Sequence, residues 1–320
     1  MSVDADITAF LQRLGWHKAM REAMAGDASS RVYTRLRAQD GGTAILVQAP
    51  VEGSPHPAFR RIAAWLTAQG LSTPEVYGHD DVAGLMLLED FGPGGVDVLT
   101  ADGAREAELY GLACDVLGAV ARAEAPVGLT EMTPEGMADM AAPLFEAIPD
   151  QGRAAALKAT FDARAPEVFG ALFEGTPVVA LRDYHAANLV YLPERAGVRA
   201  LGLLDFQDAV LAPVGYDLAS LVDDVRRVVP GDLRGELIGR HAAELGWDEG
   251  ALARQVDLLS LQRNLRVLGL FQRFGGRYAA FVPRCRALIE ACANSPAGAP
   301  LRGVCLKALE ALSPVERVAP

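Results

Sequence analysis

Lysine is nearly absent from this chain. Of its 30 basic residues, three are lysines, Lys18, Lys158 and Lys307. Almost every positive charge is therefore a guanidinium, a planar fork that matches carboxylates and phosphates and keeps its proton. A basic excess is missing as well. The 41 acidic residues leave a net charge of −11, which argues against nucleic acid or an anionic membrane as the main partner, since both demand concentrated Lys and Arg. The four cysteines, Cys114, Cys285, Cys292 and Cys305, form no C-x-x-C pair and no metal-ligand spacing with the five histidines. Cys114 lies among apolar residues at helical spacing, where a buried free thiol is expected. No apolar run approaches the length of a membrane span. The N-terminal MSVDADITAFLQRLG places acids ahead of its apolar residues, unlike a secretory signal. Repeats and low-complexity tracts are lacking too. What remains is a chain of 320 residues, 51% apolar and 22% charged, able to bury a large core as one domain or two lobes.

The chemistry concentrates in residues 178–208. An apolar run, Val178 to Leu181, leads into Asp183, His185 and Asn188, and a second run, Leu201 to Leu204, delivers Asp205. Kinases that transfer phosphoryl groups use an Asp that takes the acceptor's proton, an Asn five residues on that holds magnesium, and a later Asp that also holds metal. Asp183, Asn188 and Asp205 stand in that order and keep the Asp-x-x-x-x-Asn interval. Hard oxygen ligands of this kind suit Mg²⁺. Turn chemistry alone would place Asp and Asn between strands. It does not account for a second strand that ends in Asp205 and is followed by Asp208 and Asp217. A histidine beside such a loop more often holds its backbone than acts as a base, and His185 is assigned that supporting role.

The blocks LRDYHAANL and LLDFQDAVLAPVGYDLASL resemble the two signatures of the aminoglycoside phosphotransferase-like kinases, which include choline and sugar kinases. GDASSRVYTR, LLEDFG and QRNLRVLGLF extend the likeness over most of the chain in the expected order. Within the family the chain is most similar to the bacterial N-acetylmuramate/N-acetylglucosamine anomeric kinases of cell-wall recycling. The resemblance implies an α+β, two-lobed, protein-kinase-like fold, with a small sheet-containing lobe over residues 1–90 and a mainly helical lobe over 91–320. It implies ATP and Mg²⁺ as cofactors, Asp183 as the base, Asn188 and Asp205 as metal ligands, and Asp217 as a brace for the catalytic loop. The acceptor would be a small-molecule sugar phosphorylated at its anomeric hydroxyl. Reduced thiols and use of ATP would place the protein in the cytoplasm.

Along the chain, a helix over 6–14 ends at Gly15. A Gly-led turn, Gly26 to Ser30, feeds an extended segment from Val32. In a kinase-like lobe this turn covers the nucleotide phosphates, with backbone N–H groups and the hydroxyls of Ser29 and Ser30 as donors. The next strand, Thr43 to Gln48, lacks the lysine that kinases carry there, and the following helix, HPAFRRIAAWLTAQG, lacks its glutamate partner. Either the enzyme is degenerate, a nucleotide-binding pseudokinase, or an arginine does the phosphate work; Arg31, Arg35 and Arg37 are the candidates. LLEDFG sits where a linker between lobes belongs, and Glu89 and Phe91 are expected to meet the adenine through their backbone.

Beyond Gly95 the apolar spacing turns helical, with two helices expected between Pro134 and Phe173. Asp223, Asp224, Arg226 and Arg227 read as a solvated helix face. Gln262, Arg263 and Arg266 interrupt an otherwise apolar helix. They either edge it toward solvent or face the acceptor, where an arginine fork suits a sugar-acid carboxylate. A choline, aminoglycoside or amino-acid-alcohol kinase of the same fold is the alternative to the amino-sugar kinase.

Overall fold

The computed structural model describes residues 3–24, 31–52 and 54–313. In chain order the elements are α1 (Val3–Arg13), β1 (Met20–Ala23), β2 (Val32–Arg37), β3 (Thr43–Gln48), α2 (His56–Ala68), β4 (Val76–Asp80), β5 (Leu85–Glu89), α3 (Val96–Leu99) and α4 (Glu106–Arg122). There follow α5 (Pro134–Asp139), α6 (Ala142–Glu146), α7 (Gln151–Asp162), α8 (Ala165–Gly170), β6 (Val178–Ala180), β7 (Leu189–Tyr191), β8 (Leu201–Leu203) and β9 (Val210–Ala212). The chain closes with α9 (Tyr216–Val222), α10 (Gly231–Leu245), α11 (Glu249–Phe274), α12 (Val282–Asn294) and α13 (Arg302–Ala311). This is the α+β class expected from the resemblance. The elements fall into two compact units, one running up to Leu112 and including Ala186–Ala209, the other made of Ala113–His185 and the chain from Val210 on.

The first unit is built on an antiparallel sheet in the order β1-β2-β3-β5-β4. Period-two alternation sends Leu36, Ala44, Leu46, Leu85 and Leu87 to one face, where Ile7, Phe10 and Leu11 of α1 cover them. The helix stops at Gly15, whose positive φ of 79° lets Trp16 donate its N–H back to the Leu11 carbonyl at 2.8 Å. Val47, Met86 and Leu88, out of phase with that set, are buried as well, so the central strands are apolar on both sides. The hairpin of β7 and β8 belongs to this unit and pairs Leu189 with Leu203. Phe91 packs against it so closely that a Cβ on Gly202 would come within 2.5 Å of the Phe91 ring.

The second unit is helical, with a short antiparallel ladder pairing Val178 with Ala212 and Val179 with Leu211. Its longest helix is α11, 26 residues opened by Asp248, which accepts the Ala251 N–H at 2.8 Å. Leu252, Val256, Leu259, Leu265 and Leu268 are buried along it, and α6, α9 and α12 pack on its sides. The apolar spacing predicts two helices between Pro134 and Phe173, and four are found. Pro134, Pro143 and Pro166 each stand in the first turn of a new short helix, where a missing N–H costs nothing. Strands β1, β7 and β9 also escape the pattern, because three or four residues show too little alternation.

Two glycines of this unit make opposite predictions. A Cβ on Gly269 of α11 would lie 2.2 Å from the Leu144 backbone nitrogen, whereas one on Gly235 of α10 meets nothing within 4 Å. Gly269→Ala is expected to cost about 1–3 kcal/mol or more by forcing α6 away, and Gly235→Ala to gain up to about 1 kcal/mol from helix propensity. Urea unfolding of the two variants reads both, and shifts of the same sign would refute this packing.

Candidate active site

In the helical unit the loop carrying Asp183 begins where β6 ends, and its backbone is held from several sides. The Asp217 carboxylate in the first turn of α9 accepts the Leu181 N–H at 2.5 Å and the Arg182 N–H at 3.0 Å. Ser220, one turn on, donates to the Arg182 carbonyl at 3.2 Å. Arg182 sits at φ 73°, a left-handed conformation that costs a non-glycine residue about 1–2 kcal/mol and persists where such contacts over-determine it. Tyr184, 2% exposed, donates its hydroxyl to the Ala113 carbonyl at 2.8 Å. The His185 N–H donates to the Asp183 carbonyl at 3.2 Å. Asp217 caps no helix end; its two bonds go to the loop, while α9 has Gly215 at its N-cap without a side-chain bond.

Around His185 the acids are buried, which corrects the solvated face expected for Asp223 and Asp224, whereas Arg226 is exposed and Arg227 half-buried. Asp223 and Asp224 are 5% and 1% exposed. Asp223 takes a two-pronged contact from Arg234 at 2.9–3.3 Å and the hydroxyl of Ser260, and Arg234 also reaches Asp257 at 2.8 Å. Asp224 pairs with Arg226 at 3.0 Å. Burial pushes the Asp224 carboxyl up, but His185, Arg226 and Arg263 outweigh it and hold it below its usual range. His185 is pushed down to about 4, by burial first and then by Arg226, so its imidazole is neutral at pH 7. Gln262 is fully buried and donates to the Met137 carbonyl at 3.0 Å, a packing role. Arg263 is 7% exposed, so the reading of a solvent-facing helix edge does not hold for it. Arg266, half-buried, has its pKa lowered by burial and by Arg182.

The sheet unit gathers Arg31, Asn188 and Asp205. Pairing of β7 with β8 sets Asn188 and Leu204 side by side beyond the Leu189–Leu203 pair, and the Leu204 N–H donates to the Asn188 carbonyl at 3.0 Å. Asp205 follows at φ 57°, again left-handed. Its Oδ1 accepts from the Arg31 guanidinium at 2.8 Å and from the Gln207 amide at 2.9 Å, and the same amide reaches Asp208 at 3.2 Å. Burial alone would lower the Arg31 pKa; Asp205, Tyr33 and Asp208 overcome it and the net shift is upward. The other two candidate arginines are engaged elsewhere. Arg35 holds Asp90 through two bonds at 2.7 and 3.1 Å, and Arg37 pairs with the exposed Glu22 at 3.0 Å.

At the linker segment, the Glu89 N–H is committed to the Glu75 carbonyl at 2.8 Å and its carboxylate to Arg195 at 2.6 Å. The Arg195 guanidinium lies 5.3 Å above the Phe91 ring. Ser29 and Ser30 lie outside the described residues. Asp183, His185, Asp217, Arg263 and Arg266 thus belong to the helical unit, and Arg31, Glu89, Phe91, Asn188 and Asp205 to the sheet unit. Sequence reasoning passed over Asp90, Arg182, Arg195 and Gln207, and read Asp224 as a solvated charge. The D-D doublet after an apolar helix was the one local signal for the last.

Among the described residues no group of three or more His, Cys, Asp or Glu could hold a metal unaided. Mg²⁺ asks less, since it takes one or two carboxylates when phosphates and water supply the rest. The carboxylates of Asp205 and Asp208 and the amide oxygen of Asn188 are donors of that kind, so the residues present fit the ion.

A sheet of five antiparallel strands followed by a mainly helical part is the fold of small-molecule kinases of known structure. A choline kinase from Cryptosporidium parvum superposes with a TM-score of 0.64 at 10% identity, over 94% of this chain and 97% of that one. Amicoumacin kinase in complex with AMP-PNP and Ca²⁺ gives a TM-score of 0.59 at 16% identity, over 91% and 96%. The model of the phosphotransferase enzyme family (APH) matches residues 21–284, and the chain belongs to that family. Its similar curated relatives include the N-acetylmuramate/N-acetylglucosamine kinase of Caulobacter vibrioides, 33% identical over 93% of this chain and 94% of that protein. The kinase of the same name from Pseudomonas aeruginosa is 29% identical over 85% and 83%. Among the described residues no helix is long and apolar enough to cross a membrane.

The loop brace carries a pH signature. Burial pushes the Asp217 carboxyl from 3.8 up to about 7, against the two backbone N–H bonds that favour its ionised form. A carboxyl with a raised folded pKa stabilises fully below its unfolded value, and that contribution is lost as pH rises through the folded one. Wild-type Tm is therefore expected to fall relative to Asp217→Asn between pH 4 and about 7 and to run parallel to it above that. Parallel curves throughout would show that Asp217 titrates normally.

Proposed function

We propose that this phosphotransferase moves the γ-phosphoryl group of ATP to the anomeric hydroxyl of N-acetylmuramate or N-acetylglucosamine, releasing the sugar 1-phosphate in the cytoplasm as a step of cell-wall recycling. The observation that carries this reading is the Caulobacter relative, 33% identical along nearly the whole length of both chains. Retention of Asp183, Asn188 and Asp205 in their order supports catalysis rather than a pseudokinase role.

Asp183 is assigned as the group that orients the acceptor hydroxyl and takes its proton. A hemiacetal hydroxyl is more acidic than an ordinary alcohol, so a carboxylate is an adequate base. Asn188 and Asp205 would hold Mg²⁺, which when bound neutralises charge on the phosphates. The nucleotide is assigned to the sheet-containing residues 1–90 and the acceptor to the helical 91–320, with Ser29, Ser30 and Arg31 toward the phosphates and the backbone of Glu89 and Phe91 toward the base. His185 and Asp217 keep the loop in place. Arg31 is chosen as the substitute for the missing strand lysine because, of the three arginines weighed, it alone pairs with Asp205.

ADP release is to be measured with MgATP against N-acetylmuramate, N-acetylglucosamine, kanamycin and choline. Turnover with the amino sugars is expected; turnover with kanamycin or choline alone would discard the substrate and keep the kinase. Asp183→Asn should fold and bind ATP yet lose about a hundred- to ten-thousand-fold in kcat. Full activity in that variant would remove Asp183 from the mechanism. Arg31→Ala should weaken MgATP binding in calorimetry about tenfold or more, the loss of a charge-assisted contact. Arg37→Ala, at the exposed Glu22 pair, should leave the affinity as it is, and equal effects in the two variants would refute the choice of Arg31.

A further inference from the structure

The arginines of the helical unit divide by their partners. Arg226 and Arg234 are paired with buried carboxylates, and Arg284 and Arg286 donate to the carbonyls of Arg227 and Leu309. The guanidiniums of Arg182, Arg263 and Arg266 make no hydrogen bond or ion pair with an acid or carbonyl among the described residues, although Arg263 lies in the field of the buried Asp217 and Asp224. Arg263 is 7% exposed and its Nη1 is buried with no hydrogen-bond partner, and the Arg182 Nε is in the same state. A buried guanidinium nitrogen without an acceptor is costly, and chains keep such groups where an anion completes them.

The backbone explains why the three converge. Arg182 directly precedes Asp183, and both its N–H and its carbonyl are tied to α9. On α11, Ser260 touches Asp223 just past the end of α9, and Arg263 and Arg266 follow at three-residue steps, which keeps them on neighbouring positions of one helix face. Tyr216, 3% exposed at the start of α9, lies within the field of all three: burial raises its hydroxyl pKa and Arg263, Arg182 and Arg266 each pull it down.

We propose that Arg182, Arg263 and Arg266 form an anion recess beside Asp183 that binds a carboxylate carried by the acceptor, and so set a preference for an acidic amino sugar over its neutral counterpart. The inference rests on the amino-sugar reading above and deepens it. N-acetylmuramate and N-acetylglucosamine are suited to the test, because they differ by the lactyl ether that bears the carboxylate. A nucleotide phosphate is the other anion a kinase handles. The acceptor is preferred because all three guanidiniums belong to the helical unit, whereas the arginine paired with Asp205 belongs to the sheet unit.

The test compares kcat/KM for the two sugars in wild type, Arg263→Gln and Arg266→Gln, together with ATP affinity by calorimetry. In Arg263→Gln the ratio of N-acetylmuramate to N-acetylglucosamine kcat/KM should drop about ten- to hundredfold, the loss expected for a hydrogen-bonded charge, with the change carried by KM. Arg266→Gln should shift the ratio the same way by less. Folding of each variant is checked by its Tm, and should Arg263→Gln not fold, the drop in Arg266→Gln decides. An unchanged ratio alongside wild-type turnover of both sugars would overturn the recess and leave the kinase reading standing. A selective loss of ATP affinity would overturn it in favour of the nucleotide phosphates. Wild-type silence on both sugars would remove the amino-sugar reading and this inference with it.

Discussion

The helical unit depends on one carboxylate cut off from water. Asp217 is 4% exposed and spends both oxygens on consecutive backbone N–H groups, those of Leu181 and Arg182. A strand end that turns immediately into a left-handed residue leaves those donors without a ladder partner, and an unpaired buried N–H costs about 1–3 kcal/mol. By answering both, Asp217 lets the chain turn sharply out of β6 with Asp183 as the next residue. Ser220 and Tyr184 then fix the loop on either side of that aspartate. The position of Asp183 within its unit is thus a consequence of α9, packed in turn against α11.

The sheet unit solves a parallel problem with different means. Asn188 and Asp205 are brought alongside by the register of a hairpin three residues long on each strand, and Asp205 again adopts a left-handed φ. Arg31 and Gln207 both bond its Oδ1. A guanidinium resting on the proposed metal ligand is a cation already in the place where cations are wanted. On the proposal that Arg31 takes the place of the missing strand lysine, its acid partner is Asp205 rather than a helix glutamate.

The sequence was informative where chemistry is local. The five-residue interval from Asp183 to Asn188 and the apolar runs on either side could be read directly, and the family signatures made the α+β class predictable. Contacts between distant positions were not legible. Arg31 and Asp205 are 174 residues apart, Arg35 and Asp90 are 55 apart, and no periodicity links either pair. Asp223 and Asp224 looked like solvated charges because a pattern of neighbours cannot reveal that Arg234 and Ser260, from two other helices, close over one of them. The prolines that open three of the four helices in residues 134–170 were visible; that each opens a helix rather than ends one depends on the caps of the fold, and the remaining helix, α7, starts behind Asp150 instead.

The most direct test of the account is the position of the new phosphate. Full-length protein incubated with MgATP and N-acetylglucosamine should give a product whose ³¹P signal correlates with the anomeric proton of the sugar, with one ADP formed per phosphate transferred. A phosphate correlated with the protons at C6, or ADP release without any sugar phosphate, would contradict anomeric transfer and the roles assigned to Asp183, Asn188 and Asp205 in it.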